Sequence, residues 1–311
     1  MAGFTDAPFR LLCREAGALW AVTEMVSSLG IIHSGRRSFQ VGEPYPGEPD
    51  LVIQLFGSDP AAMGEAGARL VEELHPAALD INMGCPVPKV VKGGGGSCLL
   101  RTPQLAHDVT AALVRAVAVP VSVKVRLGWD SFSVIEVAQA LETAGASCLA
   151  VHGRTRQQGY SGEADWDKIA AVAGSVTIPV IGSGDVTGMA GFAARRPLVS
   201  GVMIARGAMG RPWVFSEVRG EPARSQNEIV RGVWRHALLN AAWYGESRGM
   251  RALRGQLGHY FKGFEGASAI RNQVTRVNTL AELLAVLSAN FPRVALNDVT
   301  ADGLLAGRRA A

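Results

Sequence analysis

The chain has 311 residues, of which 48% are hydrophobic and 19% are charged, a composition typical of a globular protein with one large and one smaller domain. No apolar run reaches about 18 residues and no secretory signal opens the chain, so the sequence predicts neither a membrane span nor export. Four cysteines (Cys13, Cys85, Cys98 and Cys148) form no CxxC pair and no zinc spacing. We therefore predict a cytoplasmic protein without a metal site.

The charge is distributed unevenly along the chain. Residues 1–216 carry 18 Lys and Arg against 19 Asp and Glu, a net charge of −1, whereas residues 217–311 carry 13 against 8, a net charge of +5. A basic segment of this kind indicates a polyanionic partner. A solvated helical surface with unpaired arginines explains the charge equally well.

Short apolar runs alternate with amphipathic stretches through the first 200 residues. This alternation predicts βαβ units and a parallel sheet. The predicted strands cover residues 19–23, 51–55, 78–82, 121–125, 147–151, 179–182 and 201–204. A TIM (β/α)8 barrel has eight strands, so we predict this α/β fold with a first strand that precedes Met1 and is missing from the chain.

The pattern changes after residue 215. Residues 217–225 are predicted to be a linker, and the segments that follow have helical periodicity with few β-branched residues. The predicted helices cover residues 229–246, 251–264, 268–274 and 280–288. We therefore predict a catalytic barrel domain over 1–216 and an all-α domain over 226–311.

A cysteine motif follows the strand predicted at residues 78–82. Asn82-Met83-Gly84-Cys85-Pro86 ends the strand sharply and places Cys85 at its C-terminal end, where α/β enzymes carry their chemistry. Lys89, Lys92 and the glycines at 93–96 follow, and a glycine run lets the backbone approach a ligand closely. The alternative interpretation is an inert, buried cysteine in a tight turn.

This motif and its lysine-containing loop resemble the signature of the tRNA-dihydrouridine synthases, which are flavin enzymes that reduce uridine in tRNA. The bacterial B-type branch is the most similar. The resemblance implies FMN as cofactor, NADPH as a transient reductant and tRNA as partner. It implies hydride transfer to C6 of a flipped-out uracil, with Cys85 as the proton donor to C5 and Asn82 holding the base. The chain begins inside the family's opening Ala-Pro-Met-Ala-Gly motif, and the resemblance assigns Met1 and Ala2 to FMN.

Polar residues at other strand ends are further candidates. Gln54 could hydrogen bond to a flat heterocycle, although a glutamine there is often only a turn residue. Lys124 lies within an apolar strand, which requires either a buried carboxylate partner or a role in chemistry. The resemblance assigns Gln54, Lys124 and His152 to FMN. We also predict RNA contacts for Arg154, Arg126 and Lys89.

Two glycine-containing turns follow the last two predicted strands. Such loops commonly bind a phosphate through backbone N–H groups and a helix N-terminus. The candidate residues are Ser183, Gly184, Asp185, Ala205 and Arg206. Ser183 and Ala205 replace the Asn and Gly that are usual in the family, and Ala205 requires a permissive φ.

The C-terminal segment is the predicted RNA-binding region. Its basic residues include Arg251, Arg254 and Arg271, and His259 and Tyr260 place aromatic groups among them, which suits RNA. Two other functions stay open: a flavin barrel acting on a free pyrimidine, as dihydropyrimidine or dihydroorotate dehydrogenases do, and an RNA-binding homologue without flavin chemistry. The basic tail disfavours the first. We expect a monomer.

Overall fold

The structure is a computed structural model that describes residues 1–33 and 36–302. These residues form two compact units. The β/α unit comprises Val22–Glu43 and Pro49–Gly207, and the helical unit comprises Met1–Ala21, Pro44–Glu48 and the described residues from 208 onward. This division differs from the predicted domains 1–216 and 226–311, because the first 21 residues belong with the C-terminal helices.

Seven parallel strands form the sheet of the β/α unit. They pair in chain order from the first to the seventh, which is the strand order of a TIM-type barrel, with β1 and β7 at the two ends of the sheet. Their bounds are β1 Val22–Ser27, β2 Val52–Phe56, β3 Ala78–Met83, β4 Val121–Arg126, β5 Cys148–His152, β6 Val180–Ser183 and β7 Gly201–Met203. The predicted fold class, a parallel β/α sheet followed by an all-α region, is confirmed.

Alternation along the strands separates an apolar face from a polar one. Leu79, for example, is fully buried. Its side chain lies close to Gly67 of the helix Pro60–Leu74, because a Cβ added at Gly67 would be 3.4 Å from the Leu79 side chain. Its neighbour Asp80 has the opposite phase and pairs in register with Gln54 and Ser122. The apolar phase forms the core beneath the helices, and the polar phase supplies the candidate site.

One helix precedes the first strand, and the others lie between and after the strands. In chain order they are α1 Ala7–Glu15, α2 Ser28–His33, α3 Arg36–Gly42, α4 Pro60–Leu74, α5 Pro88–Lys92, α6 Pro103–Ala116, α7 Val134–Thr143, α8 Trp166–Ala173, α9 Met189–Arg195, α10 Val214–Glu217, α11 Gln226–Tyr244, α12 Glu246–Tyr260, α13 Ala267–Val274 and α14 Leu280–Asn290. Helix α4 begins at an N-cap, Asp59, whose Oδ1 accepts the Ala62 amide at 2.7 Å. None of the described helices is long and apolar enough to cross a membrane.

The helical unit has its own core. Val230, Val233 and Ala237 of α11 are fully buried, together with Leu253 and Leu257 of α12. Burying a valine or leucine side chain contributes about 1.5–3 kcal/mol to the free energy of folding. Ser225 begins α11 with a capping box in which the Glu228 carboxylate accepts the Ser225 amide.

Helix α1 packs against α11 and is held by a buried ion pair. Leu11 and Leu12 share a cluster with Leu239 and Trp243. The Arg10 guanidinium donates to both oxygens of Glu48, at 2.6 and 2.8 Å, and the two side chains are 1% and 2% exposed. A bidentate pair of this kind fixes the segment Pro44–Glu48 against α1.

One strand prediction is displaced. The sequence predicts the first strand at residues 19–23, but β1 spans Val22–Ser27. Leu19 and Trp20, which made the earlier run look like a strand, are 86% and 48% exposed. An apolar run alone therefore misplaced the strand by three residues, because such runs do not reveal which of their members are buried.

Candidate active site

Polar side chains from β2, β3 and β4 form one hydrogen-bonded group in the β/α unit. Gln54 Nε2 donates to Asp80 Oδ2 at 2.7 Å, and Asn82 Nδ2 donates to Gln54 Oε1 at 2.9 Å. Ser122 Oγ donates to Asp80 Oδ1 at 2.6 Å. Gln54 and Asp80 are 7% and 3% exposed, so these hydrogen bonds hold the group in a fixed arrangement in the interior.

Asp80 was not among the predicted site residues. It lies two residues before Asn82 on the same face of β3, so strand alternation could have found it. Burial raises the pKa of Asp80 to about 6, against the opposing effect of the hydrogen bonds from Ser122 and Gln54. At neutral pH the carboxyl group is therefore ionised and accepts hydrogen bonds.

Asn82 holds the loop that carries Cys85. Asn82 Oδ1 accepts the Gly84 amide at 3.1 Å and the Cys85 amide at 2.8 Å. From the other side, the amide and hydroxyl of Ser97 donate to the Cys85 carbonyl at 3.1 and 3.0 Å. Cys85 itself is 8% exposed. Both polar backbone groups of this residue are bonded, so the loop presents its thiol in a defined position.

The glycine run closes on this loop. Gly96 has φ +59°, and an added Cβ would lie 2.7 Å from the Cys85 carbonyl oxygen. Ser58 Oγ donates to the Gly93 carbonyl at 2.8 Å. The sequence predicts that these glycines approach a ligand closely, and in the structure Gly96 closely approaches the Cys85 backbone. Lys89, on the short helix α5, is exposed and available to a ligand.

Lys124 lies on β4, paired in register with Asn82 of β3. Burial lowers the pKa of Lys124 to about 8, with a further contribution from the Arg126 charge. Asp80 acts in the opposite direction as a nearby negative charge. Among the residues that the structure describes, none accepts a hydrogen bond from the Lys124 ammonium. A half-buried cation without such an acceptor fits the anionic edge of a bound ligand.

His152 ends β5 and is 8% exposed. Burial lowers the pKa of His152 to about 2, helped by the charges of Lys124, Arg126, Arg154 and Arg206. The imidazole is therefore neutral. Its Nε2 lies 3.4 Å from Arg154 Nη1, which can only donate, so Nε2 is the acceptor and Nδ1 carries the proton.

The structure gives Arg154 another role than the predicted RNA contact. It is 2% exposed, and its guanidinium donates to both oxygens of Asp185, at 3.0 and 2.7 Å. Its other N–H groups donate to the carbonyls of Ser161 and Gly162. All of its donors are used within the protein, so an RNA contact would have to replace one of these bonds, and the contact of Arg154 stays a prediction.

Arg126 is also an internal tie. It is 3% exposed, and it donates to the Gly84 carbonyl at 2.7 Å and to the carbonyls of Thr155 and Gly159 at 3.0 and 2.8 Å. Arg126 therefore joins the Cys85 loop to the loop after β5. Its side chain positions these two loops, and the RNA contact of Arg126 stays a prediction.

Two aromatic residues on these loops were missed in the sequence. Tyr160 is 61% exposed, and the Cζ atoms of Arg206 and Arg126 lie 4.8 and 5.5 Å from its ring centre. Trp129, after β4, has Arg156 Cζ at 4.5 Å and Arg101 Cζ at 5.2 Å. The usable signal was their position in the loops that follow β4 and β5, among arginines. Such cation–aromatic pairs suit nucleic-acid contacts.

A cleft lined by three arginines lies between the loop after β5 and the turns after β6 and β7. Gly184 has φ +140°, and a Cβ there would lie 2.3 Å from that of Ala164, so only glycine fits. Asp185 Oδ1 also accepts Arg206 Nη2 at 2.9 Å. The cleft has a volume of about 400 Å³ and is lined by Arg154, Tyr160, Gly162, Glu163, Asp185, Arg195 and Arg206. Three arginines and two carboxylates leave this lining a net charge of +1, which favours an anionic group.

Ser183 and Ala205 are compatible with such a site. Ser183 is 4% exposed at the end of β6. Ala205 is not among the described residues with positive φ, so alanine occupies this position without the strain that its sequence context suggested. The backbone of both turns can therefore take the course expected of a phosphate loop.

The remaining predicted residues lie in the helical unit. Arg251 is exposed on α12, and Arg271 is half-buried on α13. Arg254 donates to the Val277 carbonyl at 2.9 Å and to Asn278 Oδ1. The Met1 carbonyl accepts the Phe4 and Thr5 amides at 3.0 and 3.1 Å, while Ala2 is exposed. The predicted FMN contacts of Met1 and Ala2 stay predictions.

One aromatic prediction in this unit is wrong. Tyr260 is 3% exposed, and its hydroxyl lies 2.8 Å from His236 Nδ1, so its ring cannot stack on RNA. His259 is half-buried and packs edge-on against Phe4, with ring centres 5.6 Å apart. The helical periodicity of α12 explains the error, because Tyr260 continues the buried stripe of Leu253 and Leu257.

The parallel sheet with a polar interior, a strand-end thiol and a phosphate-type cleft defines a β/α-barrel type of enzyme site. The family model "Dihydrouridine synthase (Dus)" matches residues 1–296. The tRNA-dihydrouridine synthase B of Pseudomonas syringae pv. tomato is 39% identical over 292 residues, 89% of this chain and 85% of that protein. That of Vibrio cholerae serotype O1 is 38% identical over 307 residues, 95% of each chain. The chain belongs to the dihydrouridine synthase family.

Proposed function

We propose that this protein is an FMN-dependent tRNA-dihydrouridine synthase that reduces the C5–C6 double bond of uridines in tRNA, with NADPH as the transient reductant. Family membership gives the reaction class. The observation that carries the proposal is the Cys85 loop, held through Asn82 to Gln54 in the polar interior of the sheet, with Lys124 in register beside Asn82.

The residues present fit a flavin mononucleotide. Lys124 supplies a cation without a hydrogen-bond acceptor among the described residues, and the arginine-lined cleft at Gly184 and Asp185 suits a phosphate. Gln54 keeps one N–H and one lone pair beyond its bonds to Asp80 and Asn82, which suits the edge of a flat heterocycle. Bound flavin would supply the hydride to C6.

The chain's own residues would supply the rest of the chemistry. Cys85 is the candidate proton donor to C5, which requires a thiol placed within reach of the base and held there. The Cys85 amide donates to Asn82 Oδ1 and the Ser97 hydroxyl donates to the Cys85 carbonyl, which provides this fixed placement. Neutral His152 offers its Nδ1–H to the flavin and base region. Cytoplasmic residence and a monomeric state remain predictions.

Binding of tRNA is proposed for two surfaces, one in each unit. In the helical unit, Arg251 and Arg271 are the candidates among the originally predicted residues, while Lys89, Trp129 and Tyr160 are candidates in the β/α unit. Arginine for phosphate and aromatic rings for unstacked bases are the usual means of binding single-stranded nucleotides.

The direct test is product formation. Purified protein with FMN and NADPH is incubated with an unmodified tRNA transcript, and the tRNA is digested and analysed by mass spectrometry. We expect a uridine that has gained two hydrogens, and a yellow protein with flavin absorbance. A yellow protein that reduces free pyrimidines but not tRNA would support the other flavin-barrel function instead. A colourless protein that binds tRNA would show an RNA-binding homologue.

A further inference from the structure

Four hydrogen bonds connect Asp80 to the backbone of the Cys85 loop, and all run in one direction. The Gly84 and Cys85 amides donate to Asn82 Oδ1, Asn82 Nδ2 donates to Gln54 Oε1, and Gln54 Nε2 donates to Asp80 Oδ2. An ionised carboxylate can only accept, and a backbone N–H can only donate. The two ends therefore require the same orientation of both side-chain amides.

This direction decides what Asn82 can offer to a substrate. Its Oδ1 already accepts two bonds, at 3.1 and 2.8 Å, which uses both lone pairs. One N–H of Nδ2 donates to Gln54, at 2.9 Å. Only the second N–H is left, and it pairs with a carbonyl oxygen such as those of uracil. The exocyclic amino group of cytosine would meet it donor against donor, which costs the full desolvation of both groups.

We propose that Asp80 is a positioning residue that sets the direction of this chain, so that Asn82 presents a donor and selects a base with a carbonyl group at that edge. Asp80 acts on Asn82 through Gln54. The identity of the base rests on the proposed function, whereas the direction of the chain rests on the four hydrogen bonds alone.

Exchanging donor for acceptor at one end of this series of hydrogen bonds tests its direction. In Asn82→Asp the new carboxylate still accepts the Gly84 and Cys85 amides, but its second oxygen faces Gln54 Oε1. Turning the Gln54 amide relieves this contact only by placing Oε1 against the Asp80 carboxylate. Either arrangement leaves two acceptors opposed, so we expect the melting temperature of the ligand-free protein to fall by about 4 °C or more.

Exchanging donor and acceptor at both ends restores a complete series of hydrogen bonds. In Asp80→Asn/Asn82→Asp the new amide donates to the turned Gln54, and Gln54 donates to the new carboxylate. The double variant is expected to regain at least half of the loss in melting temperature. Asp80→Asn alone keeps the original direction, because its carbonyl accepts from Gln54 and its amide donates to Ser122 Oγ. Its melting temperature is therefore expected to fall by less than half of the loss seen in Asn82→Asp.

The control is Ser122→Ala/Asn82→Asp, which removes the other donor to Asp80 and leaves the opposed acceptors in place, so no recovery is expected. The inference would be overturned if the fall in melting temperature of Asp80→Asn/Asn82→Asp equalled the sum of the falls in the two single variants. If Asn82→Asp does not fold, a folded double variant supports the inference and an unfolded one contradicts it. A parent protein that makes no dihydrouridine would refute the proposed function, while the melting cycle would still decide the inference.

Discussion

The interior of the β/α unit and the surface of the helical unit use their polar residues in opposite ways. In the interior, Gln54, Asp80 and Asn82 are bonded to one another and leave few free donors. On the helical unit, Arg251 and Arg276 are exposed. A small planar ligand gains from groups that are already oriented, because little entropy is lost on binding. A polyanion is bound mainly by charge, which tolerates mobile side chains.

The same contrast separates residues within the helical unit. Arg254 is bonded to Val277 and Asn278, and Arg235 donates to both oxygens of Glu15. These arginines hold helices together, whereas Arg251 has its charge available. Counting basic residues in the sequence therefore overstates the binding surface, because part of the charge is used in the fold.

The largest expected effect is on the interior thiol. Cys85→Ala should lower the rate of dihydrouridine formation by about 10²- to 10⁴-fold, since a general acid is lost. Flavin content should be unchanged. The matched control is Cys98→Ala, on a half-buried cysteine of the adjoining segment, which should keep the parent rate. Product is measured by mass spectrometry of digested tRNA. Equal losses in both variants would mean that Cys85 has no special role.

The pH dependence of stability tests the buried charge of Lys124. Burial lowers its pKa from the ordinary lysine value of 10.5 to about 8, so the unfolded chain binds more protons between these pH values and stability should rise with pH there. Relative to Lys124→Met, the ligand-free parent should gain up to about 3 kcal/mol between pH 8 and pH 10.5. Urea unfolding at several pH values measures the difference. A constant difference would show that Lys124 carries no such penalty.

The exposed and bonded arginines should differ in their effect on tRNA binding. Arg251→Ala and Arg271→Ala should each reduce the log–log salt slope of tRNA affinity by about one unit or less, one phosphate contact being lost. Arg254→Ala should lower the melting temperature as well, because Val277 and Asn278 lose their partner. Filter binding at several salt concentrations, with parallel thermal melts, separates the two classes. Identical salt slopes in the parent and in all variants would show that these arginines do not contact tRNA and only face solvent.

The smallest effect is expected at the turn after β7. Ala205→Gly should change flavin affinity by less than about twofold, since Ala205 already lacks a positive φ and its backbone is free to bind. Flavin titration by fluorescence is sufficient. A large gain in affinity would reveal strain that the backbone angles do not show.

The sequence was most informative where a local pattern has one structural solution. The bounds of β3 differ from the prediction by one residue, because the apolar run and the sharp stop at Gly84 and Pro86 favour the same limits. It failed where the answer depends on distant partners. The burial of Arg154 depends on Asp185, 31 residues away, and the packing of α1 depends on α11. No local pattern contains those contacts.

The β/α unit is proposed to carry the chemistry, while Arg251 and Arg271 of the helical unit are proposed to contribute to tRNA affinity without taking part in the chemistry. The most direct test is the rate at which unmodified tRNA reoxidises the NADPH-reduced protein, measured by stopped-flow absorbance against tRNA concentration. Cys85→Ala should lower the rate at saturating tRNA by at least about 10²-fold with the half-saturating concentration little changed. Arg251→Ala/Arg271→Ala should raise the half-saturating concentration and keep the maximal rate. If both variants changed the same parameter, this division of labour would be contradicted.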